Sequence, residues 1–505
     1  MKKTAVLVMF ITVFSKLLGF IRDIVLTGVI GINATSDAFQ TAVSIPSTVL
    51  TVVGAAFVSG IIPMLSRISK EDPERGDRFT SNVMNIMLVF SAILAVFMFV
   101  VPELAAKMVN WGMKGEALQI ASGFVRIIAF GVFAVSIVQL GAGYLNVMKS
   151  FLIPAFVGIP ANIIIIASIA LVGKTGNRNI MAFGQMIALL LQGTIILSTM
   201  KKVGFNYRPI IDLKDEDLRM MVRLAMPLVI SSFMGQMNGM IMKGYATKIH
   251  GSDGGYTYMA NADKLIAFVQ GIFTTSILAV TYPTISAAVA SNNQKQVHKS
   301  INESILMLSV FIIPAMVGFL TLSKEIVSFV YLRGKVTPAD IAILAPIFFF
   351  NSLVLFAHAM RELFYRISYA YRDMISPVIN TAIFSVTFVV LMLVFSNIFK
   401  RWDMPLAGLT LAFSTATTIT IFPMWRSLQK HLHDTRIKLI IPDFMKIVIS
   451  SIVMGIVVLV SKRFVPAGKL ALFVGIGLGV ISYAITLFAL KTQFVLSLIH
   501  SFRNR

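Results

Sequence analysis

The chain of 505 residues is 57% hydrophobic and only 13% charged. Soluble domains carry about 25% charged residues and disordered chains have low hydrophobicity, so both classes are excluded. The net charge of +22 lies mostly in short polar segments between long apolar runs, which points to lipid headgroups and membrane topology rather than to nucleic acid.

The apolar runs predict an all-α polytopic membrane protein of about fourteen spans. They fall near 5–30, 37–63, 81–107, 117–147, 152–173, 179–200, 219–248, 256–288, 300–322, 338–370, 374–398, 404–427, 440–461 and 467–494. The start, Met1, Lys2 and Lys3 before an apolar run, imitates a signal peptide. The hydrophobicity continues past Lys16, Arg22 and Asp23, so the segment reads as an uncleaved first span. The loops after spans 2, 6 and 12 are basic: Arg67, Lys70, Arg75 and Arg78, then Lys201, Lys202, Arg208 and Lys214, then Arg426, Lys430, Arg436 and Lys438. Lys2, Lys3, Arg503 and Arg505 fall on the same side, so the positive-inside rule places both termini in the cytoplasm.

The chain also repeats itself. Gly31 ends span 1 and Pro63 follows 32 residues later; Gly251 ends span 7 and Pro283 again follows 32 residues later. Lys149 precedes Pro154 as Arg372 precedes Pro377. The offsets of 220 and 223 predict parallel repeats of six spans, with lobes at 1–215 and 216–435 and two added spans in 436–505. Transporters built from such parallel repeats hold substrate near the midplane between lobes.

An ionisable residue at the bilayer centre costs roughly 2.5–3.5 kcal/mol on insertion scales and normally faces a cavity or a partner. Span 1 carries Lys16 near its middle and Arg22 about 9 Å further along. Lys16, Gly19 and Asp23 share one helical face, whereas Arg22 and Asp23, as sequence neighbours, are not expected to pair face to face. A cavity for an anion is one reading of these charges; a salt bridge to another helix or snorkelling is the other. Span 8 carries Asp263 and Lys264, either a second cation for the same cavity or an interfacial pair. Asp37 begins span 2, where a helix cap and a functional carboxylate are equally good readings. Arg366 in span 10 either reaches a headgroup or lies on solvated surface. Asn238, Asn380 and Thr415 offer oxygens suited to Na⁺, although isolated Asn and Thr also bond between helices. The absence of cysteine removes disulfides and thiolate sites, and six scattered histidines suggest no dedicated metal centre. No Walker lysine motif, HExxH or catalytic triad is present, so ATP hydrolysis and covalent catalysis are not expected.

The run from Ser15 to Asp23, then Gly31 and the stretch Ala34 to Phe39, resembles the opening of the MurJ (MviN) lipid II flippases of the multidrug/oligosaccharidyl-lipid/polysaccharide exporter superfamily. Ala262 to Leu265 and Tyr369 to Val378 resemble two further motifs of that family. The resemblance implies transfer of the undecaprenyl-diphosphate-linked peptidoglycan precursor, lipid II, to the outer leaflet of the bacterial cytoplasmic membrane. It implies that Lys16, Arg22 and Lys264 match the cavity cations and Asp23, Asp37 and Asp263 the acidic positions. The chain departs from the pattern in several places. Lysine stands at 16 and 264 where arginine is usual, Ala267 where glutamate is usual, and Ile45 to Thr51 lacks a further arginine. A lysine keeps the charge but loses the bidentate fork that suits phosphate. The expected partners are lipid II and membrane lipids, with no nucleic acid, no cofactor and a monomer as the working unit. Coupling to the membrane potential, Na⁺ or H⁺ is expected to drive transport. A flippase for another polyprenyl-diphosphate-linked saccharide is the nearest rival. A cation-coupled drug exporter would want an acidic cavity, and an integral-membrane transferase would want clustered carboxylates.

Overall fold

A computed structural model describes residues 2–432, 439–465 and 468–492, with side chains described outside 2–6, 53–63 and 224. The side chains of Lys2, Lys3 and Pro63 lie outside the described residues. So do Arg436, Lys438, Arg503, Arg505 and the lobe boundary expected at 435/436.

Every regular element among the described residues is a helix: α1 Lys2–Ile30, α2 Ala34–Glu71, α3 Pro73–Val100, α4 Pro102–Val109, α5 Gly115–Ala129, α6 Val132–Val147, α7 Leu152–Phe156, α8 Gly158–Thr175, α9 Asn179–Lys202, α10 Glu216–Ile249, α11 Gly255–Ala290, α12 Gln294–Thr321, α13 Ser323–Tyr331, α14 Pro338–Ser352, α15 Val354–Ala370, α16 Ile375–Lys400, α17 Pro405–Leu432, α18 Ile441–Ser461 and α19 Lys469–Ala489. Ten spans are long and apolar enough to cross a membrane, or twelve if bent helix pairs count as one. α1 and α2 contain undescribed side chains and stand outside that count, so fourteen is not reached among the described residues. The span expected at 117–147 is broken into α5 and α6, bent by 55° at Phe130 and Gly131. Glycine lowers helix propensity there, and the expected single rod becomes two.

The chain divides into two compact units. Met1–Thr257 with Gly334–Val336 forms the first, and Tyr258–Arg333 with Thr337–Arg505 the second. The repeat-based boundary at 215/216 falls inside the first unit, in the turn before α10. The repeat itself is visible in the helix starts. Pro73, Pro102, Gly115, Val132 and Leu152 are followed 221–223 residues later by Gln294, Ser323, Pro338, Val354 and Ile375. Lys149 and Arg372 both adopt the left-handed conformation, at φ 59° and 61°, although neither is glycine.

In the first unit α2 packs against α10, α5 and α6, and α1 against α8. Phe79, Phe124 and Tyr144 are fully buried there. Some loop cations have carboxylate partners as well as headgroups to meet. Arg67 and Arg75 grip Asp217 at 3.0 and 2.5 Å, and Arg208 meets Glu74 at 3.0 Å. In the second unit α16 packs on α17, and α18 on both α12 and α19. Ile383, Val386, Val390 and Val394 form an exposed apolar stripe along α16 at helical spacing. In water such a stripe marks an interface; in a bilayer it faces acyl chains.

Candidate functional site

The charges of α1 form the best-defined polar site inside a span. α1 lies close to α8 because Gly158 has no side chain: a Cβ there would stand 2.5 Å from the Ser15 hydroxyl. This approach brings Asn162 of α8 to Arg22, whose Nη1 donates to Asn162 Oδ1 at 3.3 Å. The amide nitrogen of Asn162 donates to Gly158 O at 2.9 Å, so the side chain is held from behind. Arg22 also donates through Nε and Nη2 to Asp23 Oδ1, at 3.1 and 3.0 Å. This corrects the expectation that the two neighbours would not pair. Their Cα directions diverge by about 100°, but the long guanidinium stem swings back across the helix face.

Lys16 is placed differently. Its side chain is exposed and lines a cavity of about 450 Å³. The polar wall is Thr12, Ser15, Asn146 and Gln192, with Phe151 and Pro154 beside them. No described carboxylate pairs with Lys16. A compact ammonium among hydroxyl and amide groups, inside a span, is equipped to meet an anion with several oxygens.

Asp37 belongs to neither arrangement. It is fully buried. The cap of its own helix is Asn33, which accepts from the N–H of Thr35 and Ser36, while the Ser36 hydroxyl accepts from Asn33 N. Asp37 instead caps α11: it accepts from Thr257 N at 2.7 Å, the Thr257 hydroxyl at 2.6 Å and Tyr256 N at 3.3 Å. Asp253 returns the favour by accepting from Ala34 N at the start of α2. Gly254 allows this exchange, because a Cβ there would stand 2.8 Å from the Ile32 side chain. The expectation of a cap is thus corrected in its target, and Asp37 is not among the residues that line the Lys16 cavity.

In the second unit Asp263 accepts from Asn351 Nδ2 at 2.7 Å, with Lys264 half-buried beside it. Asn261, on the same helix, is fully buried and both its amide atoms lack a hydrogen-bond partner. Arg366 lies over the ring of Tyr282 at 5.7 Å. That ring is eighteen residues, about 27 Å, beyond Lys264 on α11, so Arg366 does not join it. Asn380 is bound between helices: Oδ1 accepts from the Tyr365 hydroxyl at 2.9 Å and Nδ2 donates to Thr420 O at 2.7 Å. Asn238 is buried in the first unit, and Thr415 is half-buried in the second.

The profile of the family described as "Lipid II flippase MurJ" matches residues 26–478. The chain belongs to the MurJ family. Probable lipid II flippase MurJ of Buchnera aphidicola subsp. Baizongia pistaciae is 23% identical over 432 residues, 84% of this chain and 83% of that one. The MurJ of Bdellovibrio bacteriovorus, described in the same words, is 24% identical over 498 residues, 95% and 93% of the two chains. Among solved structures, "Lipid II flippase MurJ, inward closed conformation" aligns with a TM-score of 0.81 at 24% identity, covering 95% of this chain and 98% of that one. An inward-facing MATE multidrug transporter aligns with a TM-score of 0.67 at 16% identity, covering 85% and 98%. The fold is therefore the MurJ and MATE-like one. Two residues beside the MurJ-like motifs escaped the sequence reading: Asn162, which orients Arg22, and Asn351, which holds Asp263. Both are polar residues inside apolar runs, which is the only mark they leave in the sequence.

Proposed function

We infer that this MurJ-family protein is a lipid II flippase that moves the lipid-linked peptidoglycan precursor from the cytoplasmic to the outer leaflet. The observation that carries the reading is Lys16, an unpaired cation within a span, lining a polar cavity beside the Arg22–Asp23–Asn162 cluster. A charged headgroup cannot cross hydrocarbon unaided, because its desolvation is prohibitive. Lys16 and Arg22 supply fixed positive charge against which the diphosphate oxygens exchange water for protein. The hydroxyl and amide groups of Thr12, Ser15, Asn146 and Gln192 offer hydrogen bonds to the same headgroup. No bond is made or broken, so the protein acts as a transporter and not as an enzyme.

Both termini lie in the cytoplasm on this reading, and one chain works alone by alternating access. An inside-negative potential favours outward movement of an anion by about 2.3 kcal/mol per charge per 100 mV. Membrane potential, Na⁺ or H⁺ supplies the drive. The test is outer-leaflet lipid II in cells depleted of their resident flippase and supplied with this protein or with Lys16→Ala/Arg22→Ala. Restoration by the wild type and not by the variant is expected. Equal restoration by both would remove the cationic site from the mechanism, and no restoration by a well-expressed wild type would remove lipid II as the substrate.

A further inference from the structure

The segment 203–215, which joins α9 to α10 and links the two sequence repeats, is not helical, yet α3 holds it in place. Asp77, Ser81, Asn82 and Asn85 recur at helical spacing on one face of α3. Asp77 accepts from Asn206 N at 2.9 Å and Ser81 from Arg208 N at 3.1 Å. Asn82 pairs with both backbone groups of Asp212, donating to its O at 2.8 Å and accepting from its N at 2.7 Å. Asn85 donates to Arg208 O and Ile210 O, at 3.1 and 2.9 Å, and accepts from the Tyr207 hydroxyl at 2.7 Å. With these backbone groups engaged on α3, the connector leaves Tyr207, Ile211 and Leu213 50%, 58% and 65% exposed.

α3 also sets the level of this strap. From Val83 to Val100 the helix has eighteen residues without a charge, about 27 Å, close to the roughly 30 Å of a hydrocarbon core. Asn82 and Asn85 stand at the start of that run, so the connector residues bonded to them lie where hydrocarbon meets headgroups. Tyrosine is enriched at that level because its ring is apolar and its hydroxyl polar. The charge beside the exposed apolar groups is of one sign. Lys201, Lys202, Lys214 and Arg219 are exposed and make no ion pair among the described residues. Acyl chains and anionic headgroups lie side by side at a bilayer boundary and complement both features at once.

We propose that the connector is an interfacial anchor that docks on an anionic lipid surface. Ile211 and Leu213 enter the acyl boundary, Tyr207 sits at headgroup level, and Lys201, Lys202, Lys214 and Arg219 meet lipid phosphates. The anchor rests on the geometry of the first unit alone and does not depend on the transport reading.

The chain has no cysteine, so single replacements Ile211→Cys and Leu213→Cys each accept one spin label. Lys70→Cys, exposed in the last turn of α2, is the solvated reference. The full-length variants are placed in nanodiscs of phosphatidylglycerol or of phosphatidylcholine, and the access of oxygen and of a water-soluble nickel chelate to each label is measured. In phosphatidylglycerol, nickel access at 211 and 213 should be at least about fivefold below that at 70, the preference expected for taking the exposed half of an Ile or Leu out of water. Oxygen access there should stay high, as it does among acyl chains. Lys214→Glu should raise nickel access at 213 in phosphatidylglycerol and leave it unchanged in phosphatidylcholine. Nickel access at 211 and 213 equal to that at 70 would overturn the proposal. Low access to both reagents would also overturn it, because it would place these side chains against protein, such as a second copy of the chain. Indifference to Lys214→Glu and to the lipid's charge would remove the anionic headgroup from the contact.

Discussion

The two acidic stations of the first unit, Asp23 on α1 and Asp37 on α2, look alike in sequence and differ in structure. Asp23 sits beside Arg22, which also reaches Asn162, and this cluster shares its helix with an unpaired Lys16. Asp37 is fully buried and satisfied by the N-terminus of α11. Both carry charge in an apolar chain. Where every partner is internal the charge holds helices together, and where a cation is left over beside a cavity it is free to meet a ligand. Counting partners separates the two roles, which residue type alone does not.

The sharpest way to break this contrast is to remove the charge on each side. Lys16→Ala should lower lipid II exposure at least about tenfold, equivalent to about 1.4 kcal/mol, while thermal unfolding of the purified protein barely moves. A large fall in unfolding temperature without loss of transport would reverse the assignment of Lys16.

Asp37→Ala should do the opposite and destabilise the protein by about 1–3 kcal/mol, because it leaves the Tyr256 and Thr257 N–H groups without their acceptor. Asp37→Asn keeps one acceptor oxygen and should cost less. Denaturation in detergent measures both, and normal stability with lost transport in Asp37→Ala would show a transport role instead.

A smaller effect is expected at Asn162. Replacement by alanine frees the guanidinium of Arg22 and should reduce transport by several-fold, about 0.5–1.5 kcal/mol for one hydrogen bond. In the double variant with Arg22→Ala the two losses should not add; strict additivity would show that Asn162 acts on something else.

The smallest effect lies outside the spans. Asp373 is half-buried, which opposes its charge, but hydrogen bonds from the Ser376 hydroxyl, Ser376 N and His431 more than offset this. Its carboxyl is held below the usual carboxylate value. A depressed folded value means the stabilisation is fully present above the unfolded pKa, about 3.9, and fades as pH falls through the lower folded value. Because its partner His431 is one-third exposed, solvent weakens the pair and its share should stay under about 1 kcal/mol. Asp373→Asn should therefore flatten the acid limb of a stability-against-pH curve slightly, and an unchanged limb would show that the carboxylate contributes nothing there.

Much of the fold was legible in the chain because hydrocarbon imposes a simple rule: every backbone polar group must bond within its own helix. That rule makes long apolar runs into helices, and the 220-residue echo marks their repetition. The breaks were harder to see. Nothing in 117–147 announces a 55° bend beyond Gly131, since the packing of α5 and α6 decides whether a glycine is straight or kinked.

At the site, the sequence by itself determined which charges lie inside spans, because insertion cost makes each one conspicuous. It also placed Lys16, Arg22 and Asp23 on one helix. The tertiary structure alone decided what each charge does. Asp37 caps a helix more than two hundred residues away, Arg22 folds back on its neighbour, and Lys16 keeps its charge unpaired in a cavity. The physical reason is distance. Helical spacing sets which residues share a face, whereas hydrogen bonds and ion pairs form only within about 3–4 Å, and only packing brings remote groups that close.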